Sequence, residues 1–128
     1  MSDARSPLKI VNDIPVVEAP EEIDITNAAE LRAALLKPFD QGYATFIVDM
    51  SRTLFRDTSG LHVLVLMHKQ ALAQGGELRL VAPSSSILRI FAVTGIDRMI
   101  PQFAGLDEAL AREPGAGSDQ PASASGPA

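Results

Sequence analysis

The sequence predicts an α/β domain with a mostly parallel sheet begun by a β-hairpin, in the order β-β-α-β-α-β-α-β-α. Two observations lead there. Two short β-branched runs open the chain with only a turn pair between them. Strand-length apolar runs then alternate with segments of helical periodicity. Strand–helix–strand alternation closes right-handed crossovers, which make neighbouring strands parallel and pack the helices on the sheet.

The elements follow in order. Leu8-Lys9-Ile10-Val11 and Ile14-Pro15-Val16-Val17-Glu18 flank Asn12-Asp13 and read as the arms of a hairpin. Asn27 with Glu30 three residues on reads as a capping box, and Leu31, Ala34 and Leu35 recur at helical spacing, so the first helix is expected over Ala28 to Leu36, where Lys37-Pro38 interrupts. Ala44 to Met50 is nearly continuously apolar, as expected of a central strand covered on both faces. Ser51 to Asp57 reads as a loop. Thr58 to Gln74 reads as a helix closed by Gly75-Gly76. Glu77 to Val81 alternates like a strand with one wet face. Ser84, Ser85 and Ser86 offer caps for a helix carrying Ile87, Leu88, Ile90, Phe91 and Val93, ended by Gly95. Met99 to Phe103 is a Pro-limited edge strand, and Leu106 to Arg112 is a last short helix.

Composition sets the limits of the domain. From Glu113 to Ala128, 13 of 16 residues are Gly, Pro, Ala or Ser and none is a large apolar side chain. Such a segment cannot bury enough surface to offset its ordering entropy, so 113–128 is expected to be a disordered tail, 1–7 a flexible N-terminus and 8–112 the folded domain. The net charge of -5 over 128 residues divides accordingly, with two acids in the tail and 14 acids against 11 bases before it. The three lysines are scattered, which argues against nucleic acid or an anionic membrane as partner, because neutralising phosphates needs clustered cations. With no cysteine, no apolar run near the roughly 20 residues of a membrane span and a polar N-terminus, the expected location is the cytoplasm.

The stretch that invites chemistry is Asp49-Met50-Ser51-Arg52-Thr53-Leu54-Phe55-Arg56-Asp57-Thr58-Ser59-Gly60-Leu61. Asp57 followed by two hydroxyls at a helix start has a plain reading as a cap for the free amides of the first turn. It has a sharper one as a phosphoacceptor, since a helix start offers a phosphate free amides and a favourable dipole. Enzymatic readings fail on spacing. The glycine arrives one residue late for an aspartic-protease motif and no second copy supplies a dyad; no Gly-x-Ser-x-Gly surrounds Ser59. His62 and His68 lie about 120° apart round a helix and cannot chelate one metal, and no phosphate-binding Gly-x-x-x-x-Gly-Lys motif is present. Asp49 is expected to accept from the amides of the loop after it. No catalytic residue, cofactor or metal site is therefore assigned. On the second helix, Leu61, Leu64, Val65 and Leu72 suit the core, leaving His62, Val63 or Leu66 for an exposed patch. Glu18, Glu21, Glu22 and Asp24 form an acidic cluster that either steers a basic partner or is simply a solvated strand end.

Taken together, Glu22-Ile23-Asp24, Asn27-Ala28-Ala29-Glu30-Leu31, Phe46 to Ser51, Phe55 to Leu61 and Val93 to Met99 resemble the STAS family, specifically its stand-alone anti-sigma factor antagonists, from about Leu8 to Arg112. The resemblance implies a protein that binds a serine/threonine kinase anti-sigma factor, thereby frees a sigma factor, and is inactivated when the kinase phosphorylates the hydroxyl after the motif Asp. That points to Thr58, with Ser59 as the fallback. A metal-dependent phosphatase then restores the active form, so ATP and metal belong to the partners, and the free chain is expected to be monomeric. Implied partner-binding residues are Asp24, Arg56, Asp57, Thr58, Ser59, Gly60, Leu61 and His62. Thr58 stands where serine is commoner and His62 where glycine is frequent, which bears on partner specificity. The alternative is a non-switching STAS subunit of a stress-signalling or lipid-transport complex.

Overall fold

The computed structural model describes residues 8–82 and 84–112. The expected flexible N-terminus and disordered tail lie outside the described residues. In chain order the elements are β1 (Leu8–Val11), β2 (Ile14–Glu18), β3 (Glu22–Ile23), α1 (Ala28–Asp40), β4 (Phe46–Asp49), β5 (Leu54–Phe55), α2 (Ser59–Ala73), β6 (Leu78–Val81), α3 (Ser85–Thr94), α4 (Ile96–Met99), β7 (Gln102–Phe103) and α5 (Leu106–Ala111). The hairpin turns at Asn12 and Asp13, both at positive φ (51° and 67°). A two-residue primed turn needs that backbone, and short polar side chains tolerate it.

The main sheet has the order β1-β2-β4-β6-β7, antiparallel only at the hairpin and parallel thereafter, with β4 in the middle and β7 at an edge. Successive residues of β4 serve opposite faces, as a period of two requires. Phe46 and Val48 join Leu31 and Leu35 of α1, Leu64 and Met67 of α2 and Ile87 and Phe91 of α3 in one core. Ile47 joins Val16, Val81 and Ala109 of α5 in a second, smaller one. Helices therefore cover both faces of the sheet.

The second core corrects the reading of β6 as a strand with one wet face, for all four of its residues are buried. Arg79 is 0% exposed beneath α5. Its Nε donates to Glu77 Oε2 at 2.9 Å and its Nη1 to the Ala109 carbonyl at 2.9 Å. Arg112 donates to both oxygens of the same carboxylate, at 2.6 and 2.9 Å. One glutamate thus ties the entry of β6 to the end of α5.

Other boundaries shift for local reasons. The first helix runs through Pro38 to Asp40, not to Leu36. A proline in the last turn forfeits one hydrogen bond, while continuing the helix buries Pro38 and sets Phe39 edge-on against Phe46, ring centres 5.2 Å apart. Asn27 precedes α1 but makes no side-chain cap bond. Its Oδ1 accepts from Asp24 N (3.0 Å) and its Nδ2 donates to the Glu22 carbonyl (2.7 Å), so it ties α1 to β3 instead of closing a capping box. The expected loop from Ser51 to Asp57 contains β5, which pairs in parallel with β3 as a separate two-stranded sheet. Of the expected strand from Met99 to Phe103 only Gln102–Phe103 is extended; Met99 ends α4, which starts just after Gly95 turns the chain at φ 84°.

Candidate functional site

At the carboxyl end of β4, Asp49 Oδ1 accepts from Ser51 N at 3.0 Å, the local role expected of it. The buried Thr53 then anchors the chain by donating its hydroxyl to the Pro20 carbonyl at 2.8 Å. Leu54 N donates to Glu21 O (2.7 Å) and Arg56 N to Ile23 O (2.8 Å), closing the small sheet. That sheet is the platform on which the N-terminus of α2 rests. Ion pairs Arg52–Glu21 and Arg56–Glu22 flank it at 3.3 and 2.9 Å. The acidic cluster is therefore partly self-neutralised, with Glu21 and Glu22 engaged.

Asp57 joins two segments 32 residues apart. Its Oδ1 accepts from Ser59 N at 2.8 Å, capping α2, and its Oδ2 accepts from Ile25 N at 2.9 Å. Asp24 accepts from both the amide and the hydroxyl of Thr26, folding the same loop into a tight turn. The Ser59 amide holds the Asp57 carboxyl below its ordinary range, and the Thr26 hydroxyl does so for Asp24. Both are ionised at neutral pH. Thr58 is the N-cap residue of α2, yet its side chain makes no cap bond, because Asp57 takes that role.

The structure gathers the expected site residues at this turn but not all on its surface. Arg56, Asp57, Thr58 and His62 are exposed, and Asp24 and Ser59 are half-buried. Gly60 and Leu61 are buried and support the turn from below. On α2, Val63 is buried and Leu72 is 52% exposed, reversing the expected assignment of those two, while Leu66 is exposed as anticipated. Between the starts of α1 and α2 lies a mostly apolar depression of about 500 Å³, lined by Ile25, Ala28, Ala29, Arg32, Thr58, Ser59, His62 and Val63. Ile25, Ala29 and Arg32 were not among the partner-binding residues expected from sequence. The available signal was an isoleucine between Asp24 and Thr26, an apolar side chain in a segment of turn-forming neighbours.

A second cavity, about 350 Å³, lies at the other end of α2 among His68, Leu72, Glu77, Met99, Ile100 and Arg112. Its buried polar groups are already engaged: Glu77 by the two arginines, and His68 by Leu78 N, which donates to Nδ1 at 3.2 Å, and by the Met99 backbone. Burial lowers the His68 pKa below its ordinary 6.5, against the opposing pull of Glu77. Below pH 6.5 the unfolded chain therefore binds a proton that the native imidazole refuses. Stability is complete above that pH and declines below it, by at most about 1.4 kcal/mol per pH unit. Thermal unfolding at pH 7.5 and 5.5 should show this decline in the wild type and less of it in His68→Gln; equal pH dependence would refute the assignment.

Among the described residues no group of three or more His, Cys, Asp or Glu side chains is placed to hold a metal ion, and no helix is long and apolar enough to cross a membrane. Comparison with known proteins matches residues 5–109 to the model of the STAS domain. The anti-sigma-B factor antagonist of Bacillus subtilis is 36% identical over 89 residues, 70% of this chain and 80% of that protein. A crystal structure of the Thermotoga maritima protein TM1081 superposes with a TM-score of 0.74 at 26% identity, covering 83% of this chain and 92% of that one. The phosphorylated form of the Bacillus cell-fate determinant SpoIIAA shares the fold, with a TM-score of 0.62 at 24% identity over 80% of this chain and 94% of that one.

Proposed function

The chain belongs to the STAS domain family, among its anti-sigma factor antagonists, and from that premise we propose that it captures a kinase anti-sigma factor through the Thr58 turn and is released when Thr58 is phosphorylated. The observation that carries this reading is the state of Thr58. It is exposed at the start of a 15-residue helix, and its hydroxyl is not spent on capping because the neighbouring Asp57 caps the helix. Ser59, the fallback acceptor, is half-buried and so less accessible to a kinase.

Phosphorylation forms a bond between Thr58 Oγ1 and the γ-phosphorus of ATP and expels ADP. The modification adds about -1.5 to -2 charge at neutral pH, next to two ionised carboxylates and on the rim of an apolar depression. A partner covering that depression would have to desolvate the phosphate, which is what makes the modification disruptive. A phosphatase that removes the group restores the binding surface. In this reading the transfer of phosphate is the kinase's chemistry and its removal the phosphatase's, so ATP belongs to the former and metal to the latter.

Incubation with ATP and the anti-sigma kinases of the source organism, purified singly, followed by peptide mapping, is the direct test. Phosphate is expected on Thr58. Its absence from both Thr58 and Ser59 would sink the switch, and binding that ignores ATP would favour a constitutive STAS subunit. Thr58→Asp should weaken binding at least tenfold, about 1.4 kcal/mol, whereas Thr58→Ala should retain it. Equal affinities for the two variants would refute the charge mechanism.

A further inference from the structure

The most exposed large apolar side chain near the Thr58 turn is Ile25, at 76%. An isoleucine in water at the tip of a loop is ordinarily mobile, but here the backbone beneath it is fixed on several sides. Asp57 Oδ2 accepts its amide at 2.9 Å, Thr26 is held by Asp24, and Asn27 bonds to both Asp24 N and the Glu22 carbonyl. Presenting an apolar side chain on a fixed backbone lowers the ordering cost of binding, as is typical of a residue that carries much of an interface's affinity. Beside it lies the depression whose remaining walls include Ala28, Ala29 and Val63, small or apolar groups with room for an incoming side chain.

The charges on the rim limit what that partner can be. Arg32 lines the depression itself and Arg56 acts on Asp24 through space, but Asp24 and Asp57 have no cation at ion-pair distance among the described residues, while Glu21 and Glu22 have theirs. A surface complementary to this one offers an apolar side chain for the depression with basic groups beside it. We propose that Ile25 is the apolar anchor of the interface with the anti-sigma factor, and that a partner apolar side chain, flanked by basic residues, packs against Ile25 in the depression beside Thr58. This rests on the reading of the Thr58 turn as the partner-binding site, and it adds the residue that selects the partner. It also explains why a phosphate there is effective, since the hydrated group would stand at the mouth of the depression that the anchor helps to form.

The test is titration calorimetry of the full chain and its variants against the anti-sigma factors of the source genome, each purified. Ile25→Ala should weaken binding at least tenfold, and Ile25→Leu should restore it to within about threefold. Ala29→Glu should also weaken binding at least tenfold by filling the depression; a glutamate in the first turn of α1 suits the helix dipole, so folding is preserved. Val93→Ala, which removes an 81% exposed apolar side chain from the end of α3, is the control and should bind as wild type. Thermal midpoints should be unchanged throughout. If Ile25→Ala and Ala29→Glu bind as wild type while Thr58→Asp does not, the anchor is wrong and the switch stands. If Val93→Ala loses as much as Ile25→Ala, the anchor is likewise wrong. If wild type binds none of the anti-sigma factors, both fall.

Discussion

Glu77→Ala is expected to lower folding stability by about 3 to 5 kcal/mol, the cost of stranding a buried charge. The carboxylate is the common acceptor for Arg79, which is 0% exposed, and for Arg112. Without it Arg79 keeps the Ala109 carbonyl but loses its only counter-charge at ion-pair distance among the described residues. Combining Glu77→Leu with Arg79→Met removes the two most deeply buried charges together, leaves only the partly exposed Arg112 without its partner, and should recover part of the loss. Urea unfolding of the three proteins checks the order, and a loss below about 1 kcal/mol in Glu77→Ala would show that the pair contributes nothing net. The same group predicts the acid limb of stability. Burial raises the Glu77 pKa, but the hydrogen bonds from Arg112 and Arg79 outweigh it and leave the carboxyl below its ordinary 4.5. Its contribution is therefore fully present above pH 4.5 and fades as the pH falls through the folded value, a window lower than that of His68. A Glu77→Gln variant should flatten the lower window and deepen the upper one, because it also removes the carboxylate's opposing pull on His68.

The hairpin, the central strand and the strand–helix alternation were legible because each is written in a short-range pattern: the Asn12-Asp13 turn, the apolar run from Phe46 to Val48, the spacing of Leu31 and Leu35. The Asp57-Thr58-Ser59-Gly60 turn was legible for the same reason, since the capping carboxylate and the amide it accepts from are neighbours in sequence. The rest depends on contacts between distant residues. Two-residue strands such as Leu54–Phe55 have no period to detect, and this one exists because Glu21 and Ile23 present carbonyls to it. Glu77-Leu78-Arg79-Leu80 has the alternation of a half-wet strand, and only the arrival of α5 with the Ala109 carbonyl turns Arg79 into a core residue. Asn27 sits where a cap should be, but Glu22 and Asp24 claim its side chain. Ile25 sits on a fixed backbone partly because a carboxylate 32 residues away accepts from its amide.

Gly60→Ala should destabilise the protein by about 2 kcal/mol and distort the Thr58 turn, against the direction that helix propensity indicates. In a helix interior, alanine for glycine is favourable by about 1 kcal/mol. At Gly60, however, a Cβ would stand 2.5 Å from Ile23 Cγ2 and 2.9 Å from Phe55 Cε1. Neither neighbour yields cheaply: Ile23 is 0% exposed, and Phe55 packs at 6.3 Å between ring centres against Phe91, also buried. Overpacking of that severity lies near 3 kcal/mol, so sterics outweigh propensity. The strain falls on the β3–β5 sheet, which carries Asp24 and Ile25 just after β3 and Asp57 and Thr58 just after β5. On the proposed function, the variant should accordingly lose affinity for the anti-sigma factor and phosphorylation rate at Thr58 together. Gly105→Ala, where a Cβ would have nothing within 4 Å, serves as the control and should leave both unchanged. A Gly60→Ala protein as stable as wild type, with unaltered phosphorylation, would mean that the small sheet can shift under α2 and does not set the geometry of the turn.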